Sequence, residues 1–234
     1  MALFAISDIH LPIGIDKPMD IFGSKWDNYV ERLQNNWNNI VNDNDTVVIN
    51  GDISWATYLD ESIPDFDFIE KLPGKKIIMK GNHDYWWTTT SKLNKFLTEN
   101  NYKTINFLQN NSYMYNDIAI CGTRGWSYLG CGDASEEDIR IFNRELGRFE
   151  ISVTNALKNN PKRIIAFFHY PPLTPENKDN PVIEMLKKYK IDLCIYGHLH
   201  SKGHKNAVTG ECDGIKYLLV SCDWCDFVPC KLCD

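Results

Sequence analysis

The chain lacks the marks of several protein classes, and each absence narrows the reading. No apolar run approaches the roughly 20 residues of a membrane span, so no membrane partner is expected. No basic segment precedes the short apolar stretch in Met1-Ala2-Leu3-Phe4-Ala5-Ile6-Ser7-Asp8, and that stretch is too short for the core of a signal peptide. A cytoplasmic location is the expectation. Basic surface is also lacking: 25 Lys and Arg face 31 Asp and Glu, a net charge of −6. A protein held to nucleic acid by its phosphate backbone usually shows a basic face. The nearest runs, Lys75-Lys76 and Lys187-Lys188, are short and read as solvated faces, so the balance argues against nucleic acid. No internal repeat, linker or low-complexity tract appears. One domain over residues 1–234 is expected, large enough to bury a core without disulfides. Cysteine is not scarce, at eight residues. Without a secretory signal the thiols are expected to be reduced, Cys131 and Cys212 among them.

What the chain does have is an alternation of short apolar runs and helical patterns. Leu3–Ser7, Val47–Asn50, Lys76–Lys80, Arg163–His169 and Asp192–Tyr196 are β-branched runs that read as buried strands. Between them, Trp26, Val30, Leu33, Trp37 and Ile40 recur at helical spacing. So do Ile139, Phe142, Leu146, Phe149, Val153 and Ala156, opened by Ser135 with Asp138 three residues on, a capping-box pattern. Pro181 is expected to start another helix, with Ile183, Leu186 and Tyr189 on its buried side. Later strands are expected within Ser112–Cys121 and Gly214–Ser221. The pattern is that of an α/β protein with stacked sheets.

Histidine placement carries the chemistry. Of six histidines, His10, His83, His169, His198 and His200 fall just after strand-like runs, where ligands collect in open α/β sheets. Asp8-Ile9-His10 follows the first run, Gly51-Asp52 the second and Gly81-Asn82-His83-Asp84 the third. His169 and Gly197-His198-Leu199-His200 follow the later two. On extended backbone Asp8 and His10 would project from one side, as would His198 and His200. Gly51, Gly81 and Gly197 are expected to turn the chain before each ligand. Asp8, His10, Asp52, Asn82, His169, His198 and His200 form a mixed nitrogen and oxygen donor set. Such a set suits transition metals better than Mg or Ca. Seven donors exceed one tetrahedral site and suit two ions sharing a carboxylate.

The series Asp-x-His, Gly-Asp, Gly-Asn-His-Asp, a lone His and Gly-His-x-His resembles the calcineurin-like metallophosphoesterases, with motifs running from residue 8 to residue 200. The resemblance implies a four-layer αββα sandwich of two mixed sheets flanked by helices. It implies a dinuclear-metal hydrolase of phosphate mono- or diesters, with a small phosphate ester as partner. The cofactors would be two divalent or trivalent transition-metal ions such as Mn, Fe or Zn. Asp8, His10, Asp52 and His200 would hold the first ion. Asp52 would bridge to the second, held also by Asn82, His169 and His198. A hydroxide between ions about 3.5–4 Å apart would attack phosphorus. His83 would be the general acid, and Asp84 would orient it by taking its other ring proton.

Bland readings stand beside these. A single His in an apolar strand is usually structural; the set at strand ends is what argues otherwise. His204 lies outside the motifs and reads as a surface residue. Arg124 could bind a substrate phosphate or make a structural salt bridge. Trp55, Tyr85, Trp86, Trp87 and Trp126 could stack an aromatic leaving group or pack loops. Cys222, Cys225, Cys230 and Cys233 allow a Cys₄ zinc site or a last strand with apolar cysteines. Loops 11–23, 53–70, 124–135 and 171–180 are expected to set specificity. Asp16, Asp20, Asp60, Asp65 and Asp67 would repel a highly charged polyphosphate there. The competing functions are a non-catalytic metal-binding scaffold of the same fold and a nuclease.

Overall fold

The apolar runs form strands because nearly every residue in them is buried, and a continuous apolar run suits a sheet covered on both faces. The computed structural model describes residues 1–130 and 132–234; Cys131, expected above to be a reduced thiol, lies outside the described residues. In chain order the strands are β1 (Leu3–Ile6), β2 (Thr46–Ile49), β3 (Lys75–Ile78), β4 (Ile105–Phe107), β5 (Tyr113–Tyr115), β6 (Ile118–Thr123), β7 (Arg163–Phe168), β8 (Leu193–Tyr196), β9 (Gly210–Cys212), β10 (Ile215–Leu219) and β11 (Cys230–Cys233). The α-helices are α1 (Tyr29–Ile40), α2 (Ile63–Lys71), α3 (Thr90–Glu99), α4 (Glu136–Leu157) and α5 (Pro181–Lys188). The chain divides into two compact units, residues 1–107 with 220–234, and residues 108–219.

The first unit holds a five-stranded sheet in the order β11-β1-β2-β3-β4. Strands β1 to β4 run parallel and β11 is antiparallel to β1. One face of the sheet, including Phe4, Ile6, Val47, Ile49 and Ile78, packs in a cluster with Leu33 and Trp37 of α1, Phe66 and Ile69 of α2, and Leu93 and Phe96 of α3. Side chains of this kind stabilise the unit by about 1.5–3 kcal/mol each on full burial. Lys76 on β3 is fully buried, and its ammonium donates to the Leu72 carbonyl at 2.6 Å, just past the end of α2. Burial pulls its pKa down to about 8.

The second unit holds a six-stranded sheet in the order β5-β6-β7-β8-β10-β9. Its four central strands are parallel and both edge strands antiparallel. Ala119, Cys121, Ile164, Ala166, Phe168, Cys194 and Tyr196 pack with Phe142, Phe149, Val153 and Ala156 of α4 and Ile183 and Leu186 of α5. The expected Ser135–Asp138 capping box opens α4. Asn180 caps α5, and Pro181 stands in its first turn. Thus the fold is α/β with two mixed sheets and flanking helices, and among the described residues no helix is long and apolar enough to cross a membrane. Among the described residues no cysteine is joined in a disulfide.

Several expectations change. Residues 53–70 are not one loop, because α2 begins at Ile63. Asp65 cannot face a substrate: it is fully buried and accepts hydrogen bonds from the Ile13 N–H and the Ser54 hydroxyl. His204 is half-buried in a 3-10 turn over Ser201–Asn206 rather than on the surface.

Candidate metal centre

In the first unit the donors leave the carboxyl ends of parallel strands. Asp8 follows β1, Asp52 follows β2, and Asn82 with His83 follows β3. Asp8, His10 and Asp52 do not sit on extended backbone, as the two-residue spacing suggested. Their φ angles are 61°, 45° and 53°, the left-handed region that non-glycine residues seldom enter. Such conformations cost of order 1–3 kcal/mol each and persist where the surroundings over-determine them. Those surroundings are visible. The Asp8 N–H donates to the Gly51 carbonyl at 2.9 Å and the His10 N–H to the Asp52 carbonyl at 3.0 Å. The Tyr29 hydroxyl, buried, donates to the His10 carbonyl. The Cys222 thiol donates to the Asp8 carbonyl at 2.8 Å, and the Ser221 hydroxyl to Asp8 Oδ2 at 3.0 Å.

The glycines serve two different purposes. Gly51 turns the chain with φ 96°. Gly81 is not left-handed; it is small because a Cβ there would lie 2.0 Å from Asp52 Oδ1 and 2.2 Å from the Asp52 nitrogen. Nor is Gly197 left-handed; the next residue, His198, takes φ 71° instead.

Asp8 and Asp52 are essentially unexposed, at 0% and 1%, and His10 is 3% exposed. Asp8 offers a carboxylate oxygen within 4.8 Å of one on Asp52 and of a His10 ring nitrogen. His10 Nε2 lies 3.8 Å from Asp52 Oδ2. Two buried carboxylates this close repel strongly in a low dielectric. A multivalent cation relieves that repulsion, and the mixed oxygen and imidazole donors fit a transition metal. Asp52 Oδ1 also accepts the His83 backbone N–H at 2.7 Å.

Asp84 is fully buried, and its carboxylate gathers backbone. Oδ2 accepts the N–H groups of Asp52 (2.9 Å) and Gly81 (2.7 Å). Oδ1 accepts those of Ile53 (2.8 Å) and Ser54 (3.4 Å) and the Trp86 indole at 3.1 Å. Through these bonds Asp84 ties the turn after β2 to the turn after β3. His83 is half-buried, its ring 4.8 Å from Trp55 and 5.7 Å from His10.

Trp55 is the residue that sequence reasoning undervalued. Its indole stacks on His10 at 4.6 Å and 16°, and the Lys17 ammonium stands 3.2 Å from its ring centroid. Burial lowers the Lys17 pKa. Tyr85, beside His83, is 64% exposed, whereas Trp86 is buried against Phe66. Nothing in the local sequence marks Lys17, Tyr29 or Ser221.

In the second unit His169 follows β7 directly and is fully buried. Its ring lies 5.3 Å from that of His198, which follows β8, and Tyr170 packs on His198 at 4.3 Å. The His169 carbonyl accepts the Gly197 N–H at 3.1 Å, locking the two strand ends together. His200 is half-buried just before the 3-10 turn. Arg124 follows β6. One of its guanidinium nitrogens is 3.9 Å from Glu145, and the group covers Trp126 at 4.7 Å. Glu145, 2% exposed, is also held by Arg148 at 2.7 Å and the Thr123 hydroxyl at 2.6 Å. The salt bridge expected as one reading of Arg124 is therefore present.

A family model described as calcineurin-like phosphoesterase matches residues 1–202. No curated protein matches the chain. Among solved structures, a protein of unknown function, AQ665 from Aquifex aeolicus, is similar in fold at 17% identity and TM-score 0.52, covering 98% of this chain and 95% of that one. TT1561 of Thermus thermophilus is similar at 10% identity and TM-score 0.51, covering 94% of this chain and 88% of that one. From the match over residues 1–202 and the acid and imidazole donors at its strand ends, the chain belongs to the calcineurin-like phosphoesterase family, and its general chemistry is metal-dependent phosphoester hydrolysis.

Proposed function

We propose that this chain is a dinuclear-metal phosphoesterase hydrolysing small phosphate mono- or diesters, with residues 1–234 acting as one catalytic domain. The carrying observation is the pair of buried carboxylates, Asp8 and Asp52, within 4.8 Å of each other and held on left-handed backbone. Asp8, His10, Asp52 and His200 would hold one ion, and Asp52, Asn82, His169 and His198 the other, with Mn, Fe and Zn all suited to these donors. Bound there, the ions supply Lewis-acid charge for the phosphoryl oxygens and for the attacking water.

The chain's own residues supply the rest. His83, half-buried beside Trp55, gives its proton to the leaving oxygen as phosphorus is attacked in line, a step commonly worth about 10²–10⁴-fold. Asp84 acts by position, holding the Asp52 and Gly81 backbones in place. Arg124, steadied by Glu145, contacts the substrate phosphate. Lys17 on Trp55 adds positive charge on the same loop as Asp16 and Asp20.

The test is hydrolysis of bis(p-nitrophenyl) phosphate and p-nitrophenyl phosphate by protein stripped of metal and reloaded with Mn²⁺. Asp52→Asn is expected to abolish metal-dependent turnover. His83→Asn should keep metal content while slowing turnover, most for esters with poor leaving groups. Full activity in His83→Asn would remove the general-acid role. No turnover of either ester with metal confirmed would favour the non-catalytic scaffold.

A further inference from the structure

Four cysteines lie in the last strand and the turn before it, and none is needed as a metal donor in the proposed site. Their environments differ. Cys222 is fully buried, with its thiol committed to the Asp8 carbonyl. Its full burial leaves it out of reach of a solution oxidant, and such buried thiols are inert. Cys121 and Cys194 are buried in the second unit, with the Cys121 thiol pushed up to about 12 by burial. Cys225 and Cys230 are half-buried, and their sulfurs lie 3.0 Å apart.

The turn enforces that approach. Asp226 and Phe227 are consecutive left-handed residues, with φ of 50° and 60°, a strained state for a bulky side chain. It is held because Phe227 is fully buried, 5.3 Å from Trp26 and 5.6 Å from Tyr29. The Phe227 N–H bonds the Cys222 carbonyl at 2.8 Å and the Val228 N–H bonds the Cys225 carbonyl at 3.0 Å. The chain is thereby folded back so that Cys225 meets Cys230 at the start of β11. The sulfurs need to close by only about 1 Å to reach disulfide length.

We propose that Cys225 and Cys230 are a redox modification site that forms a reversible intramolecular disulfide. The oxidant class is a low-molecular-weight disulfide such as glutathione disulfide. The two sulfurs share a hydrogen bond in which either can donate; with Cys225 as the donor, the Cys230 pKa is held down and Cys230 is the attacking thiolate. It attacks one sulfur of glutathione disulfide, forming a mixed disulfide and releasing one glutathione thiolate. That thiolate takes the Cys225 proton. The Cys225 sulfur then attacks the Cys230 sulfur and expels the second glutathione. Two protein thiols and one glutathione disulfide become one protein disulfide and two glutathiones. A Cys₄ zinc site is the less fitting use of these residues, because Cys222 is already bonded to Asp8.

The experiment incubates the purified full-length chain with glutathione disulfide and then alkylates it under denaturing conditions. The expected result is that the mass before alkylation falls by two hydrogens, that two of the eight thiols resist alkylation, that digestion places Cys225 and Cys230 in one disulfide, and that dithiothreitol restores both. Cys225→Ser should stop at a glutathione adduct on Cys230, with circular dichroism confirming that the variant is folded. Cys230→Ser should form no disulfide. Retention of all eight thiols, a cross-link between other cysteines, or protection of these thiols by zinc that a chelator releases would each overturn the assignment.

Discussion

Single residues decide whether the Asp8–Asp52 pair survives. Gly81 is the narrowest point, since any Cβ would enter the van der Waals radius of Asp52 Oδ1 and its nitrogen. Gly81→Ala is expected to lose Mn²⁺ affinity and about 1–3 kcal/mol of stability. Urea unfolding and a Mn²⁺ titration check it, and an unshifted midpoint would show that the contact is relaxed in solution. Asp65 makes a pH-dependent prediction. Burial lifts its pKa to about 6 from an ordinary 3.8. The folded state therefore binds more protons than the unfolded state between those values, and stability falls as pH rises through that window. The cost is complete above about pH 6, on the order of 2–3 kcal/mol. Asparagine can still accept from Ile13 and donate to Ser54. Asp65→Asn should raise the melting temperature at pH 7–8 and lose the advantage as pH drops towards 4. A gain that persists at pH 4 would contradict the buried-charge account.

At the scale of elements, the caps differ in what they lose. Asn180 is 4% exposed; its Oδ1 accepts the Val182 and Ile183 N–H groups, and its Nδ2 donates to the Pro172 carbonyl at 3.1 Å. The Ser135–Asp138 pair that opens α4 is exposed. Asn180→Ala should cost about 2 kcal/mol and Ser135→Ala about 0.5–1 kcal/mol, compared by urea unfolding; equal costs would mean the Pro172 bond adds nothing. Helix α4 was legible because its stripe repeats over about five turns, although Ile139 is exposed and Glu145 and Ser152 complete the buried face. Helix α2 was not, because Pro64 and two aspartates interrupt its apolar period and one of those acids, Asp65, is itself buried. Helix α3 buries only Leu93 and Phe96, too few to mark a period. The central strands were legible because parallel strands covered on both faces are apolar throughout.

Across the whole molecule, the placement of the candidate donors just after strands was legible and their backbone geometry was not. Residue type and position after a strand pointed to Asp8, His10, Asp52, His169 and His198. The left-handed turns at Asp8, His10, Asp52 and His198 leave no compositional trace, and neither do Trp55 under Lys17 or Tyr29 on the His10 carbonyl. Metal removal should report on the whole chain. Chelation is expected to lower the melting temperature, and Mn²⁺ at 100 times its dissociation constant should restore about 2.7 kcal/mol. An unchanged melt would mean that the buried carboxylates are neutralised without metal. One topological fact reaches into biosynthesis. The first unit is discontinuous: β1 pairs on one side with β2 and on the other with β11, and Ser221 and Cys222 brace Asp8. A chain leaving the ribosome therefore exposes β1 with one unpaired edge until residues 220–234 emerge, while residues 108–219 already hold all their own strands. Ribosome-bound nascent chains stalled before Val220 should keep an open β-edge next to Asp8, a site for chaperone capture or mispairing.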